Sequence, residues 1–382
     1  MIRNIDMGMA TRLTREGRLN ETMAVLRGDG PLTDEKANNV GTGTIEMTRA
    51  PGNDGVWHQR SDANAQETRP ASRPPVPKVG LADLVRKHRR AGSPPPKAAI
   101  PAGAHFAPGR YACPDGRRAY KLYVPSIFAG KPVPLLVMLH GCTQTPDDFA
   151  LGTQMNALAE IHGFLVVYPE QSQSANMNRC WNWFNSADQG RDAGEPAVIA
   201  GLTRQIMAEY AIDRDRVFVA GLSAGGAMAA IMGAAYPDVF AAIGVHSGIA
   251  VGAAHDMPSA FAAMGGSASS AKPGKRHSVP TIVFHGDADR TVHVDNAAQV
   301  LAQARGVQPG RPEVTTGRSS GGTAFTRTVE TGTSGKPALE HWLLHGAGHA
   351  WSGGHSAGSY TLPAGPDASG EMLRFFGIAP SA

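Results

Sequence analysis

The segment from Arg216 to Ala230, RVFVAGLSAGGAMAA, constrains this chain more than any other. It runs apolar and β-branched through Val219, turns through Gly221, Leu222, Ser223, Ala224 and Gly225, and continues as an Ala-rich helical pattern. A strand, a tight turn and a helix in immediate succession put Ser223 on a strained apex that pushes its hydroxyl out of a sheet. The flanking glycines let strand and helix pack closely. Ser223 is therefore a candidate nucleophile. The same Gly-x-Ser-x-Gly pattern recurs at Gly317 to Gly321 and at Gly354 to Gly358. There Ser319 falls between two strand-like runs, PEVTT and GTAFTRTVE, and Ser356 has no strand before it or helix after it. Only Ser223 has the context that gives the motif its meaning.

The 382 residues are enough for one large domain or two ordinary ones with a substantial core. No apolar run approaches the ~20 residues of a membrane-spanning helix. The N-terminal stretch MIRNIDMGMATRLTREGRLNETMAVLRG scatters charges throughout and lacks the apolar core of a secretory signal, which predicts a cytoplasmic protein. The net charge of +4 divides unevenly. Residues 1–100 hold 16 Lys and Arg against 11 Asp and Glu, and the remainder holds 20 against 21. The basicity therefore belongs to the N-terminal region, sharpest at Arg86, Lys87, Arg89 and Arg90, and reads as a solvated tail or a contact for an anionic surface. Nothing in it suggests nucleic-acid readout. Cys113, Cys142 and Cys180 have no metal-ligand spacing, and an odd count leaves at least one unpaired.

Residues 11–27 carry an approximate helical stripe of Leu13, Leu19, Met23, Ala24 and Leu26 with charges opposite. From Gly28 to about Ala104 the composition turns to Pro, Gly, Asn and Ser, which predicts a largely disordered linker with one short helix at Leu81 to Arg90. The domain division expected is thus 1–104 as an N-terminal helix and linker and 105–382 as the catalytic domain. Beyond Tyr111 strand-like and helical runs alternate. Strands are expected at Ala119 to Val124, Leu135 to Leu139, Phe164 to Tyr168, Val217 to Ala220, Ala242 to Val245, Thr281 to His285 and Glu340 to Leu344. Helices are expected at Asp147 to His162, Pro196 to Tyr210, Gly225 to Ala235, Asp295 to Arg305 and Gly370 to Phe376. Such alternation predicts a mostly parallel sheet covered on both faces, with its chemistry at the carboxyl ends of the strands.

A serine nucleophile needs a base, and the base needs an acid to orient it; on an elbow of this kind the chain order is Ser, then Asp or Glu, then His. Asp287 and Asp289 follow the strand TIVFHG, and either suits the acid. Among 14 histidines, His349 in GAGHAWSGG has the small neighbours that let a loop fold back, whereas His345 at the strand end reads as a rim residue. Two backbone N–H donors are needed for the oxyanion: Ala224 directly after the nucleophile, and Cys142 or Thr143 in the loop after LLVMLHG, with His140 and Gly141 setting the turn. With no metal cluster and no phosphate-binding glycine loop, the chemistry looks self-contained and cofactor-free, an acyl transfer through a covalent intermediate. Trp181, Trp183 and Phe184 in RCWNWF, and Trp351 after His349, are candidates for a substrate wall or for core under a long loop. The stretch from Ile249 to Ser278 with its apolar SAFAAM patch covers the site or forms a surface excursion.

From about Arg118 onward the chain resembles the poly(3-hydroxybutyrate) depolymerase family of esterases, related to the feruloyl and acetylxylan esterases. The resemblance rests on RAYKLYVP, LLVMLHGCTQTPDDF, RCWNWF followed by GEPAVIAGL, GLSAGGAMA, YPDVFAAIGVHSG, VPTIVFHGDADRTVHVDN and GAGHAWSGG, in that order. It implies an α/β-hydrolase fold, a mostly parallel central sheet flanked by helices behind a flexible N-terminal extension. It implies Ser223 as nucleophile, Asp289 as acid in an HGxxD pattern, His349 as base, and Cys142 with Ala224 as oxyanion donors. It also implies a disulfide between Cys142 and Cys180. The expected activity is hydrolysis of a hydroxyalkanoate polyester or its oligomers, with feruloyl, acetylxylan or short-chain esters as the alternative and a non-catalytic granule-binding protein as a second. The N-terminal region is the expected contact with a polymer granule, and many relatives of this kind are extracellular.

Overall fold

The computed structural model describes residues 47–49, 57–59, 100–266, 279–305, 312–332, 335 and 337–380. The chain divides into two units, Met1–Lys78 and Val79–Ala382. In the first, β1 (Met47–Arg49) and β2 (Trp57–Gln59) pair antiparallel, with Thr48 opposite His58. This short ribbon lies where composition predicted linker. The helices expected at 11–27 and 81–90 fall outside the described residues.

The second unit is organised by a ten-stranded sheet. Its strands in chain order are β3 (His105–Cys113), β4 (Gly116–Val124), β5 (Val133–Leu139), β6 (Leu165–Glu170), β7 (Ile212–Leu222), β8 (Ala242–His246), β9 (Thr281–Gly286), β10 (Glu313–Arg318), β11 (Ala324–Thr331) and β12 (Pro337–Leu344). In space they run β10-β11-β12-β9-β8-β7-β5-β6-β4-β3. The six from β12 to β6 are parallel, and an antiparallel pair closes each edge. Two short strands, β13 (Trp351–Ser352) and β14 (Thr361–Leu362), pair separately.

The parallel strands are continuous apolar runs because both of their faces are covered. In β5, Leu135, Val137 and Leu139 join one core layer, and Leu136 and Met138 join the other. That is the period of two expected of side chains alternating across a strand. The first layer takes up helices α3 (Gly194–Glu209) and α4 (Ala224–Ala235); the second takes up α1 (Pro146–Thr153), α2 (Met155–His162) and α7 (Ala368–Phe375). Helix α5 (Met257–Met264) and helix α6 (Asp295–Ala304) flank β9 in the chain. Most of these elements are those read from the alternation; β13 and β14 are not among them, and three further departures concern a broken helix, an edge strand and an added helix.

The predicted helix Asp147 to His162 is two helices, α1 and α2, broken at Gln154, whose φ of 55° is left-handed. The carbonyls of Gly152 and Thr153, released from the ladder by this turn, accept instead from His355 N (2.8 Å) and Ser369 Oγ (2.7 Å). Strand β3, which contains Pro108 and Gly109, is not among the strands expected from sequence. It is an edge strand, where proline is tolerated, and the ring of Tyr120 on β4 lies across Gly109. Helix α5 sits in the Ile249 to Ser278 stretch, opened by a capping box of Asp256 and Ser259.

Candidate active site

Every residue from Val217 to Gly233 is buried except Ser223. Its φ of 59° and ψ of −120° are unusual for a residue with a Cβ. The strain is imposed from both sides. A Cβ on Gly221 would sit 2.4 Å from the Gly225 carbonyl group, and one on Gly225 would sit 2.0 Å from the Leu139 oxygen. Only glycine fits either position, so β7 and α4 meet at a turn that has no room to relax. The Ser223 N–H donates to the His246 carbonyl at 2.9 Å, which ties the turn to β8. The other two Gly-x-Ser-x-Gly matches are structural. Ser319 hydrogen-bonds the Ala364 carbonyl within a tight turn, and Ser356 is exposed in a turn whose Gly358 packs on Gly152.

Strand β9 ends at Gly286, and a Cβ there would lie 2.2 Å from the Ala347 oxygen. That close pass brings the loop after β12 against the loop after β9, with Ala288 N donating to Ala347 O at 3.0 Å. Two Asp–His pairs result. Asp289 is buried and accepts from Thr291 N (2.8 Å), Val292 N (2.9 Å) and His349 Nδ1 (2.7 Å). Burial alone would raise its pKa, but the hydrogen bond and charge of His349 and the two backbone donors outweigh it, and the carboxyl is held below its ordinary range. Asp287 is exposed, accepting from His345 Nδ1 (2.9 Å) and Gly346 N (2.7 Å), while His345 Nε2 meets Thr326 Oγ1 at 2.9 Å. The two carboxylates left open by sequence are thus separated by geometry: Asp289 with His349 inside, Asp287 with His345 on the rim as a loop clamp. The hydroxyl of Ser223 and Nε2 of His349 make no hydrogen bond to a described residue; such contacts often form only with substrate bound.

The loop after β5 passes beside the nucleophile: a Cβ on Gly141 would be 3.6 Å from Ser223 Cβ. His140 organises it. Its Nε2 accepts from Gln171 N (3.1 Å), so Nδ1 carries the proton and donates to Gly141 O (2.8 Å). Burial pushes the pKa of His140 down to about 4, and the ring is neutral. Gly141 N donates to Gln144 Oε1 (2.9 Å), and Thr143, at φ 67°, donates its N–H to Asn178 O (2.6 Å). Of the two N–H groups considered from sequence, Thr143 is engaged, whereas Cys142 N has no hydrogen bond to a described residue. Ala224 N, first in α4, has none either. Cys142 and Cys180 form a disulfide that ties this loop to the one after β6.

The three tryptophans are placed otherwise than as cleft walls. Trp181 is 0% exposed and donates from Nε1 to His140 O at 3.0 Å, beneath the loop of Cys142. Trp351 is 1% exposed, bonded to Ser369 Oγ and stacked on His246. Trp183 is buried edge-on to Phe184. A wall must present a ring face to substrate, and the rings of Trp181 and Trp351 pack against Arg118, His140, His246 and Phe149 instead.

His246 escaped the sequence reading because one histidine among 14 at a strand end carries no signal. It lies between Phe284 and Trp351, accepts from Ser352 N at Nε2 (3.0 Å), and is pushed by burial and by its neighbours His285 and His349 to about 3. It therefore stays neutral and ties the end of β8 to β13, three residues beyond His349. Among the described residues no group of three or more His, Cys, Asp or Glu could hold a metal ion, and no helix is long and apolar enough to cross a membrane.

A mostly parallel sheet with a serine on the elbow after a central strand, and an Asp–His pair at the ends of strands farther along, defines the α/β-hydrolase class. Within that class the chain belongs to the esterase PHB depolymerase family, whose model matches residues 118–326. It is 35% identical to poly(3-hydroxyalkanoate) depolymerase C of Paucimonas lemoignei, over 67% of this chain and 66% of that protein. It is 30% identical to feruloyl esterase B of Neurospora crassa, over 69% of this chain and 89% of that protein. The match to the probable acetylxylan esterase A of Neosartorya fischeri, at 31% identity, spans 56% of that protein. Among solved structures, the acetyl xylan esterase from Aspergillus awamori shares the fold with a TM-score of 0.53 at 23% identity, covering 69% of this chain and 94% of that one.

Proposed function

We propose that this chain is a serine esterase that hydrolyses poly(3-hydroxybutyrate) or related hydroxyalkanoate oligomers through an acyl-enzyme. The observation that carries this reading is the Asp289–His349 pair at 2.7 Å, its carboxylate buried, in a fold whose only elbow serine is Ser223 among the described residues. His349 Nε2 takes the Ser223 proton as Oγ attacks the ester carbonyl. Asp289 holds the Nδ1–H tautomer and stabilises the imidazolium. The tetrahedral oxyanion is held by the N–H groups of Cys142 and Ala224. Collapse breaks the ester C–O bond, and His349 returns the proton to the departing hydroxyl. Water, activated by the same histidine, then releases the 3-hydroxybutyryl unit and regenerates Ser223.

Family membership and the depolymerase relative support the polyester. A second reading, an esterase for feruloyl or acetyl groups, is favoured by the near full-length match to feruloyl esterase B. Under both readings the Cys142–Cys180 disulfide fits an oxidising compartment better than the expected cytoplasm. The N-terminal basic region remains the proposed contact with a polymer granule. The chemistry is tested by Ser223→Ala, which is expected to abolish turnover of p-nitrophenyl butyrate while Ser319→Ala and Ser356→Ala do not; full turnover in the Ser223 variant overturns it. The substrate is tested by comparing product release from amorphous poly(3-hydroxybutyrate) and from methyl ferulate. Faster release from the ferulate transfers the assignment to the second reading.

A further inference from the structure

Glu195, second residue of α3, is 5% exposed and lies in a polar network that the triad does not use. Its carboxylate accepts from Arg118 on β4 (3.1 Å), from the Gln171 side-chain amide at the end of β6, and from Asn182 through both N (2.7 Å) and Nδ2 (3.0 Å). The Gln171 amide also donates to Cys180 O (2.9 Å), and the Arg118 guanidinium lies 5.5 Å from the centre of the Trp181 ring. Cys180, Trp181 and Asn182 are thus all gripped directly or at one remove by a single buried anion.

Trp181, Cys180 and Gln171, all held by this network, lead to the loop of Cys142. Trp181 Nε1 donates to His140 O, Gln171 N donates to His140 Nε2, and Cys180 is covalently joined to Cys142. Each fixes a different atom of the segment 140–142: a carbonyl, an imidazole and a side-chain sulfur. An oxyanion donor is effective only if its N–H already points to where negative charge develops, and displacements of about 1 Å cost large factors in rate. A charged acceptor forms shorter and stronger hydrogen bonds than a neutral one. Bulk packing would be satisfied by an apolar group of similar volume.

We propose that Glu195 is a positioning residue that aims the Cys142 N–H at the oxyanion through Asn182, Trp181 and His140. This rests on the proposed acyl-transfer reading of the site. The geometry gives two separable links: Glu195→Gln weakens the grip on Asn182, Gln171 and Arg118, and Trp181→Phe removes the indole donor to His140 O together with part of a buried ring.

The test uses the full chain, p-nitrophenyl butyrate, and n-butylboronic acid, which forms a tetrahedral adduct on an active serine. Each variant is expected to lower kcat about tenfold, with KM within about twofold, and to weaken boronate inhibition by the same factor. Because both act on one chain of contacts, the double variant is expected to lose no more than about threefold beyond the worse single one. Unchanged kcat in a variant that still melts cooperatively overturns the proposal. So does a kcat loss with boronate inhibition unchanged, which would mark a general structural defect. If Glu195→Gln does not fold, Trp181→Phe decides by the same readouts. Turnover that survives Ser223→Ala in this assay brings down the acyl-transfer reading itself, whereas Ser223 dependence with normal Glu195→Gln and Trp181→Phe variants brings down only the present inference.

Discussion

The two sides of the site are held in place by different physics. On the oxyanion side, Cys142 is fixed by a disulfide, a buried neutral imidazole, an indole and, farther back, a buried carboxylate. On the acid–base side, His349 sits on a glycine-rich loop held by one carboxylate contact, a close pass over Gly286 and an exposed Asp–His clamp. The first side is fixed by constraints that overlap, so the loss of one leaves others. The second is fixed by single contacts. A backbone donor needs no freedom, because it only has to be in position, whereas the histidine must accept, carry and return a proton within each turnover.

Replacing His349 with Ala removes the base itself and is expected to reduce kcat on p-nitrophenyl butyrate by at least about 10⁴-fold; a residual rate within tenfold of the parent would show that the pairing with Asp289 is structural. Asp289→Asn leaves the shape and loses the tautomer, with an expected kcat loss of about 10³-fold to 10⁴-fold. Asp287→Asn, by contrast, removes only a solvent-exposed pair and should cost less than about tenfold. Similar losses in both aspartate variants would erase the distinction between inner and rim pairs.

Breaking the disulfide through a Cys142→Ala, Cys180→Ala double variant should lower stability in addition to any kcat lost from a freed Cys142 N–H. It opens a loop of sequence separation 38, for which chain entropy suggests a loss of about 3–4 kcal/mol. Thermal melts report that loss. The pH profile of kcat/KM should keep its shape, since His349 and Asp289 do not touch this loop.

The smallest effect concerns acid. His140, His246, His285 and His341 are all shifted below the ordinary histidine value, chiefly by burial, to about 4, about 3 and about 4 for His140, His246 and His341. Each is neutral when folded and binds a proton more readily when unfolded. Their contribution to stability is therefore fully present above the unfolded value near 6.5 and is lost as pH falls toward the folded values. Melting temperature should be level above pH 7 and decline from about pH 6.5 toward 4. Three of the four lie on β8, β9 and β12, so amide exchange at pH 5 should lose protection there before it does in β5 and β6. Equal loss on both sides would remove the asymmetry.

The elbow, the order of its partners and the parallel sheet were legible in the sequence because each depends on local chemistry. Glycines two residues either side of Ser223 and an apolar run before it admit few other structures. The choice between Asp287 and Asp289 was left to a resemblance because both sit in one loop, and only the three-dimensional pairing with His345 and His349 separates them. The choice between wall and core for Trp181 and Trp351 stayed open because burial of a loop aromatic depends on partners such as His140, His246 and Ser369, distant in the chain. Strand β3 contains Pro108 and Gly109, whose cost is removed by an edge position and by a neighbouring tyrosine ring. Non-local context decided each of these.

The clash distances at Gly221 and Gly225 carry one more consequence. With carbonyl groups pressed against both positions, the residues bracketing the nucleophile have no tolerated alternatives, so mutation cannot remodel substrate preference there. Divergence among descendants of this chain has to accumulate away from the elbow, at exposed loop positions. The catalytic centre thus behaves as an inherited fixture, and the surrounding loops as the part on which selection can act.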